Sequence, residues 1–200
     1  MKILLTAFEP FAGSPVNSAQ RSVELVPDTI NGAEVVKVLL PTEFKRSTEA
    51  IHKAIAEHRP DVVLCIGQAG GRMEIDLERV AINIDDGRIP DNAGFQPQEE
   101  KIFADGPAAY FTTLPIKEMT KEICAAGFPA IVSDSAGTYV CNHVMYVLLY
   151  YLAKEFPQTI GGFMHVPALP EQVIGKMPPA PSMSKESIAS AITVALKVII

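Results

Sequence analysis

The 200-residue sequence contains no tryptophan, no cluster of basic residues and no apolar run long enough to cross a bilayer. Its 17 lysine and arginine residues are scattered and are outnumbered by 23 acidic residues, so the net charge is −6. Because a nucleic-acid-binding surface needs clustered positive charge, we expect no nucleic-acid partner. The longest apolar stretch, from Val144 to Ala153, is about half of the ~20 residues that span a membrane, so we expect no membrane partner.

Signals for secretion, disulfides and zinc sites are also missing. The apolar run after Met1 is too short for a signal peptide and has no cleavage site behind it, which predicts a cytoplasmic protein. The cysteines are Cys65, Cys124 and Cys141, an odd number without C-x-x-C spacing. A disulfide scaffold or a zinc site is therefore not expected. We expect free thiols, one of which is a candidate for chemistry.

Strand and helix patterns alternate along the chain and predict an α/β fold. With 48% apolar residues and no repeat or linker, one domain is expected over residues 1–200. The pattern indicates a three-layer α/β/α sandwich around a mostly parallel sheet. The predicted strands are Lys2 to Ala7, Ala33 to Leu40, Asp61 to Ile66, Glu78 to Ile84, Ala130 to Ser133 and Ile160 to Val166. The predicted helices begin near Ser18, Thr42, Pro115, Tyr139 and Ser184.

Three landmarks are expected at one edge of this sheet. Ligands of open α/β sheets gather at the carboxyl ends of the strands. The loop at Gly67, the turn at Gly137 and the strand end near His165 should lie there. The polar stretch from Asp85 to Gly106 predicts a loop, and loops of this length are usually functional.

Cys141 is the best candidate nucleophile. It follows a small-residue turn and lies in the first turn of a predicted helix, where free amides and the helix dipole stabilise a thiolate. The same amides suit an oxyanion. The alternative is an ordinary buried helix cysteine. Cys65 lies inside an apolar strand and is predicted to be a core thiol, and Cys124 has little around it to activate a thiol.

A thiol nucleophile needs a base, and His165 is the best candidate among four histidines. It lies near a strand end at the edge where Cys141 is expected, although a core histidine is the alternative. His143 follows Cys141 by two positions and so points to another helix face. His52 and His58 are expected at the surface or its boundary.

An acid should orient the histidine, and the residue pattern leaves three choices. Glu78 opens a predicted strand, whereas Asp85 and Asp86 end it. Arg79 offers a competing explanation, in which it pairs with Glu78 at the surface. The glycines at 67, 70 and 71 match no known phosphate-binding motif and are typical of a tight turn.

Four sequence blocks resemble the pyroglutamyl peptidase I family, also called pyrrolidone carboxyl peptidases. They are residues 67–72 (GQAGGR), 78–83 (ERVAIN), 136–143 (AGTYVCNH) and 161–167 (GGFMHVP). The resemblance implies an exopeptidase that removes N-terminal pyroglutamate from peptides through Cys141 as nucleophile, His165 as base and Glu78 as orienting acid. It also implies an α/β/α sandwich like that of purine nucleoside phosphorylases, a tetramer, and no metal or cofactor.

The resemblance also implies a substrate pocket formed by Phe8, Phe11 and Gln68, with Arg88 near the oxyanion. Two phenylalanines suit the faces of a flat lactam, and the amide of Gln68 suits both the lactam N–H and its C=O. Core packing is the alternative for each phenylalanine, and a solvated loop residue is the alternative for Arg88.

The sequence departs from the family at three positions near this pocket. Ala7, Glu9 and Ala12 stand where the family usually has glycine, aspartate and glycine. Alanine does not easily adopt a positive φ, so a differently shaped loop is expected around Phe8 and Phe11.

Two other functions remain open, a nucleoside phosphorylase and a thiol redox sensor. The sensor is disfavoured because Cys65 and Cys124 are expected to be too buried to resolve an oxidised thiol.

Overall fold

A computed structural model describes all residues from Met1 to Ile200. It contains nine strands and six helices. The strands are β1 (Lys2–Phe8), β2 (Thr29–Ile30), β3 (Ala33–Leu40), β4 (Val62–Gln68), β5 (Ile75–Glu78), β6 (Val80–Ile82), β7 (Ala109–Phe111), β8 (Ala130–Ser133) and β9 (Ile160–Val166). The helices are α1 (Ser18–Val23), α2 (Phe44–His58), α3 (Ile116–Ala125), α4 (Val140–Lys154), α5 (Pro170–Val173) and α6 (Lys185–Lys197).

Seven strands form the central sheet in the order β2-β3-β1-β4-β9-β5-β8. Four of its six strand pairings are parallel, namely β3 with β1, β1 with β4, β4 with β9, and β5 with β8. The pairing of β5 with β9 is antiparallel, so β5 and β8 run against the rest of the parallel strands. The predicted mostly parallel sheet is therefore confirmed.

Helices cover both faces of the sheet, which explains why β1, β4 and β9 are almost continuously apolar and buried. One face packs against α1, α3 and α6 through a core of 28 buried residues. The other face packs against α2 and α4 through a core of 20 buried residues. This arrangement is the predicted three-layer α/β/α sandwich.

The chain leaves the central sheet at Arg79, where one continuous strand was predicted. Ile75–Glu78 belongs to the main sheet, whereas Val80–Ile82 pairs with β7 in a separate two-stranded sheet. The prediction of a strand from Glu78 to Ile84 was therefore wrong, and Glu78 ends a strand instead of opening one. Only Arg79 separates the two strands, and no glycine or proline marks the bend, so the sequence carries no break signal there.

The long loop after Ile84 is fastened to the helices that flank the sheet. Asp91 accepts a hydrogen bond from the backbone N–H of Phe44 at 3.0 Å and so caps α2. Thr42, the predicted cap, instead donates its hydroxyl to the backbone oxygen of Glu9 at 2.8 Å. Sequence proximity favoured Thr42, and the tertiary fold supplies a cap from a distant loop.

The helices are short in comparison with a bilayer. The two longest, α2 and α4, have 15 residues each, whereas ~20 residues are needed to span the hydrocarbon core. None of the helices combines the length and the apolar character that a membrane span requires.

Candidate active site

A cavity of about 540 Å³ opens at the carboxyl ends of β1, β4 and β9. All three predicted landmarks, the loop after Gly67, the turn at Gly137 and the strand end at His165, contribute to its wall or adjoin it. Of the predicted site residues, all but Glu78 line the cavity: Phe8, Phe11, Gln68, Arg88, Cys141 and His165. Glu78 lies directly behind His165.

Cys141 lies at the second position of α4, partly exposed in the cavity wall. The first hydrogen bond of α4 runs from the N–H of His143 to the carbonyl of Tyr139, and no side chain caps the helix. The N–H groups of Val140 and Cys141 are consequently unpaired at the cavity. Unpaired amides and the helix dipole stabilise negative charge on a thiolate or an oxyanion.

Gly67 provides the room for this thiol. A Cβ atom at Gly67 would lie 2.9 Å from Cys141 Sγ and 2.7 Å from a ring carbon of Phe163. Any larger residue would displace the sulfur or the ring. The glycine that follows Ile66 therefore does more than close a turn, because its missing side chain lets α4 approach the sheet.

His165 links Cys141 to Glu78. Its side chain is almost fully buried near the end of β9, and its Nδ1 lies 2.7 Å from Glu78 Oε1. Burial by itself lowers the pKa of the imidazole, but the adjacent Cys141 thiolate and the Glu78 carboxylate together raise that pKa to about 9. The arrangement therefore favours a protonated imidazole beside the sulfur of Cys141 at neutral pH.

The register between β5 and β9 brings Glu78 to His165. Glu78 pairs with Phe163, so His165 is its diagonal neighbour on the same face of the sheet. Glu78 is fully buried, and its Oε1 also lies 3.2 Å from Nη1 of Arg72. A carboxylate held this way fixes the imidazole orientation and leaves Nε2 for the thiol.

The other acids considered from the sequence lie elsewhere. Asp85 pairs with His143, with 2.8 Å between Oδ2 and Nδ1, and Asp86 lines the cavity without contacting a histidine. Arg79 forms its ion pair with Asp134 at 2.6 Å and leaves Glu78 free of it. Of the three acids that residue patterns left open, Glu78 is the one within hydrogen-bond distance of His165.

The phenylalanines serve both the core and the cavity. Phe8 is 3% exposed and packs against Phe163 with 6.1 Å between ring centroids. Phe11 is more open and lies 6.4 Å from the ring of Tyr139. Both line the cavity, so core packing and a binding role are compatible.

Gln68 can offer only half of its amide to a ligand. Its Oε1 accepts hydrogen bonds from the backbone N–H of Ser18 at 2.7 Å and from Nε2 of Gln172 at 3.1 Å. Because a backbone N–H can only donate, the amide orientation is fixed and Nε2 is the group left for a ligand. The predicted contact from a lactam N–H to Gln68 Oε1 would have to compete with these two donors.

Ala12 adopts the backbone conformation that glycine adopts more easily. Its φ is +51°, and it is followed by Gly13 at +72°. A left-handed alanine is less stable than glycine there by roughly 1–2 kcal/mol. Ala12 lines the cavity beside Phe11, so the alanine is accommodated in the loop at an energetic cost. Arg88 also lines the cavity, and it forms no ion pair or hydrogen bond within the protein.

Arg72 and Tyr139 are cavity residues that the sequence reasoning did not single out. Arg72 lies within residues 67–72, the first block that resembles the family, and Tyr139 lies within the block that contains Cys141. Their places in these blocks are the signal that points to them.

Cys65 is fully buried, as predicted. Cys124 is exposed, which corrects the expectation that it is buried, because the last turn of α3 faces outward there.

The comparisons with known proteins give one family. The family model described as pyroglutamyl peptidase matches residues 1–200. The pyrrolidone-carboxylate peptidase of Clostridium botulinum is 53% identical over 197 residues, covering 98% of this chain and 92% of that protein. The corresponding peptidase of Lactobacillus johnsonii is 54% identical over 200 residues, covering 100% and 93%.

Solved structures agree with the relatives. Pyroglutamyl peptidase I of Bacillus amyloliquefaciens superposes with a TM-score of 0.92 at 45% identity, covering 97% of this chain and 94% of that one. A mutant pyrrolidone carboxyl peptidase of Pyrococcus furiosus gives a TM-score of 0.95 at 42% identity, covering 99% and 97%. With matches of this extent in sequence and in fold, the chain belongs to the pyroglutamyl peptidase family.

Proposed function

We propose that this chain is a cysteine exopeptidase, one domain over residues 1–200, that hydrolyses the amide bond after an N-terminal pyroglutamyl residue. The observation that carries the proposal is the connected line from Cys141 through His165 to Glu78 at the wall of a cavity, in a chain of this family. The substrates are peptides with N-terminal pyroglutamate. The three side chains need no metal or cofactor for the steps below.

Acylation begins with the thiolate of Cys141 and the imidazolium of His165. The sulfur attacks the pyroglutamyl carbonyl carbon, and the carbonyl oxygen becomes an oxyanion. The imidazolium then gives its proton to the departing amine as the carbon–nitrogen bond breaks. This leaves a pyroglutamyl thioester on Cys141 and a neutral imidazole.

Deacylation returns the enzyme to its starting state. His165 takes a proton from a water molecule, whose oxygen attacks the thioester carbon. The carbon–sulfur bond breaks, pyroglutamate leaves and the thiolate reforms beside the imidazolium. Glu78 keeps Nδ1 protonated and the ring oriented through both steps.

The unpaired backbone N–H groups at the start of α4 are the proposed oxyanion donors. The N–H of Cys141 is closest in sequence to the reacting sulfur, and that of Val140 lies one position before it. Removing one such donor in other enzymes lowers the rate by about 10²–10³-fold. Arg88, which has no partner within the protein, is the proposed side-chain contribution.

The pocket is proposed to recognise a neutral lactam. Phe8 and Phe11 contact the ring, while the free Nε2 of Gln68 donates to the lactam carbonyl. Proline lacks that carbonyl, so a prolyl substrate would leave the Gln68 amide unpaired and should be rejected strongly.

Cys141→Ala tests the assignment in an assay with a fluorogenic pyroglutamyl amide. We expect turnover to be lost, whereas Cys124→Ser, which changes the exposed cysteine, should match the wild type. The wild type should hydrolyse the pyroglutamyl amide and spare prolyl and alanyl amides, and iodoacetamide should abolish the activity. Turnover retained by Cys141→Ala would refute the nucleophile, and equal hydrolysis of the prolyl amide would refute the pocket.

The resemblance also supports a homotetramer that works in the cytoplasm. All three cysteines are unpaired, and an activated thiol stays reduced in a reducing compartment. Light scattering coupled to gel filtration measures the assembly. A monomer at working concentrations would overturn the tetramer and leave the active site untouched.

A further inference from the structure

A second buried carboxylate lies beside the one that holds His165. Asp76 precedes Glu78 by two residues in β5, and both side chains are fully buried on the same face of the sheet. Asp76 pairs directly with His165 across the two strands, whereas Glu78 is the diagonal neighbour that bonds the imidazole. Two carboxylates buried this closely repel each other unless a cation neutralises them.

Arg72 is the cation that contacts both. Its Nη1 forms a short ion pair with Asp76 and lies 3.2 Å from Glu78 Oε1. The same guanidinium reaches Ser133 Oγ at 3.4 Å and the carbonyl oxygen of Ser135 at 3.2 Å. One planar group is thereby held by four partners on β5 and at the end of β8, and it also lines the substrate cavity.

The charges around Glu78 come from several elements. α3 packs against the opposite face of the sheet with the apolar side chains Ile116, Met119 and Ile123. The charged or titratable groups near Glu78 are Arg72 and Glu74 before β5, Asp76 within it, Arg79 and Asp134 as a pair beyond it, His165 on β9 and Cys141 on α4. Arg72 is the one lasting positive charge that touches either buried carboxylate.

Burial raises the pKa of Asp76 even though Arg72 acts to lower it. Without the guanidinium, the two carboxylates would share a buried site with no lasting counter-charge, and one of them would take up a proton. If that proton goes to Glu78, the carboxyl no longer stabilises an imidazolium and no longer fixes its tautomer. Arg72 is thus the group that balances the charge of the two buried carboxylates.

We propose that Arg72 and Asp76 are positioning residues of the peptidase reaction: Arg72 keeps Glu78 ionised and directed at His165 Nδ1, and Asp76 holds Arg72 in place. The inference rests on the proposed function, because it assigns a role to residues that stand behind its catalytic line. Arg72 and Asp76 would not contribute to the chemistry directly, and would act on the substrate only through His165.

Arg72→Met tests the proposal, since methionine keeps an unbranched side chain and removes the charge. We expect kcat at neutral pH to fall by about 10–100-fold, less than the ~10²–10⁴-fold contribution of a general base. KM should change little. The acid limb of the kcat profile should move to higher pH, because two buried carboxylates without a counter-charge hold a shared proton more tightly. Arg72→Lys should recover part of the rate.

The decisive variant is Arg72→Met with Asp76→Asn. Removing the second carboxylate relieves the repulsion, so the double variant should be faster than Arg72→Met alone and its acid limb should move back. A guanidinium that only supports the fold, or only binds substrate, predicts no such rescue. Melting temperatures of all variants show whether each one is folded.

Two outcomes would overturn the proposal: an Arg72→Met enzyme with an unmoved acid limb, or a double variant that is no faster than the single one. Failure of the proposed function is a separate result, because the wild type would then not hydrolyse the pyroglutamyl amide at all. In that case the His165 imidazole signal, followed by NMR in wild type and Arg72→Met, still reports whether the guanidinium controls its protonation.

Discussion

Two buried histidine–carboxylate pairs flank the first turn of α4. In one pair His165 Nδ1 lies 2.7 Å from Glu78, and in the other His143 Nδ1 lies 2.8 Å from Asp85. Both imidazoles are nearly inaccessible, at 4% and 6% exposure. By geometry and burial alone, the two pairs are almost interchangeable.

What separates the pairs is the group at the other ring nitrogen. His165 lies beside the Cys141 thiol at an open cavity, while His143 Nε2 lies 2.7 Å from the hydroxyl of Thr48 on α2. The second pair packs edge-on against Phe44, with 5.5 Å between ring centroids, and joins α2, α4 and the long loop. A histidine–carboxylate pair therefore indicates chemistry only when its free nitrogen meets a nucleophile.

Replacing each histidine by asparagine gives the largest expected contrast. His165→Asn removes the base and should lower kcat by about 10²–10⁴-fold with the protein still folded. His143→Asn should keep kcat within about tenfold and instead lower the free energy of unfolding by about 1–3 kcal/mol, because Asp85 and Thr48 lose their partner. Kinetics and urea unfolding of both variants measure this. Equal kinetic losses would remove the distinction between the pairs.

Replacing Glu78 should affect catalysis, whereas replacing Asp85 should not. Glu78→Gln should lower kcat by up to about 10⁴-fold, because the imidazole then takes the wrong tautomer. It should also move the basic limb from near pH 9 to lower pH, because a negative neighbour that raises the pKa of His165 is gone. Asp85→Asn should leave the basic limb in place. A pH profile of kcat/KM for both variants checks the direction, and a basic limb that rises in Glu78→Gln would contradict the account.

Residue patterns brought Cys141 and His165 together for physical reasons, whereas Glu78 came from the family resemblance and the Asp85–His143 pair was not predicted. Apolar runs and a small-residue turn predicted β4, β9 and α4, which place Cys141 and His165 at one edge. The bend at Arg79 was hidden because no glycine or proline marks it. The Asp85–His143 contact joins residues 58 positions apart, and the orientation of Gln68 depends on Ser18, 50 positions away. Such contacts come from tertiary packing and leave no local pattern.

Gly67→Ala should produce a smaller effect confined to the Cys141 side. The added Cβ would lie 2.9 Å from Sγ and should displace the sulfur. A displacement near 1 Å at a reacting atom lowers rates by up to about 10²-fold. Gly70→Ala is the matched control, since a Cβ there meets no atom within 4 Å. Alkylation rates of Cys141 compare the two, and equal rates would show that Gly67 does not set the thiol position.

Thr48→Val should have the smallest effect, and only on the His143–Asp85 pair. It leaves His143 Nε2 without its 2.7 Å partner and should lower the free energy of unfolding by about 1 kcal/mol at unchanged kcat. Thr120→Val is the control, because that hydroxyl bonds only the carbonyl of Ile116 one helical turn before it. Equal losses in the two variants would mean that the contact with His143 contributes nothing.

The most direct test of the catalytic line is an NMR titration of the His165 imidazole in the wild type and in Cys141→Ala. We expect a His165 pKa of about 9 in the wild type, because Cys141 and Glu78 outweigh burial, and a clearly lower pKa once the sulfur is gone. The His143 signals should keep their positions in both proteins. A His165 that titrates identically with and without Cys141 would show that the imidazole and the thiol are not coupled.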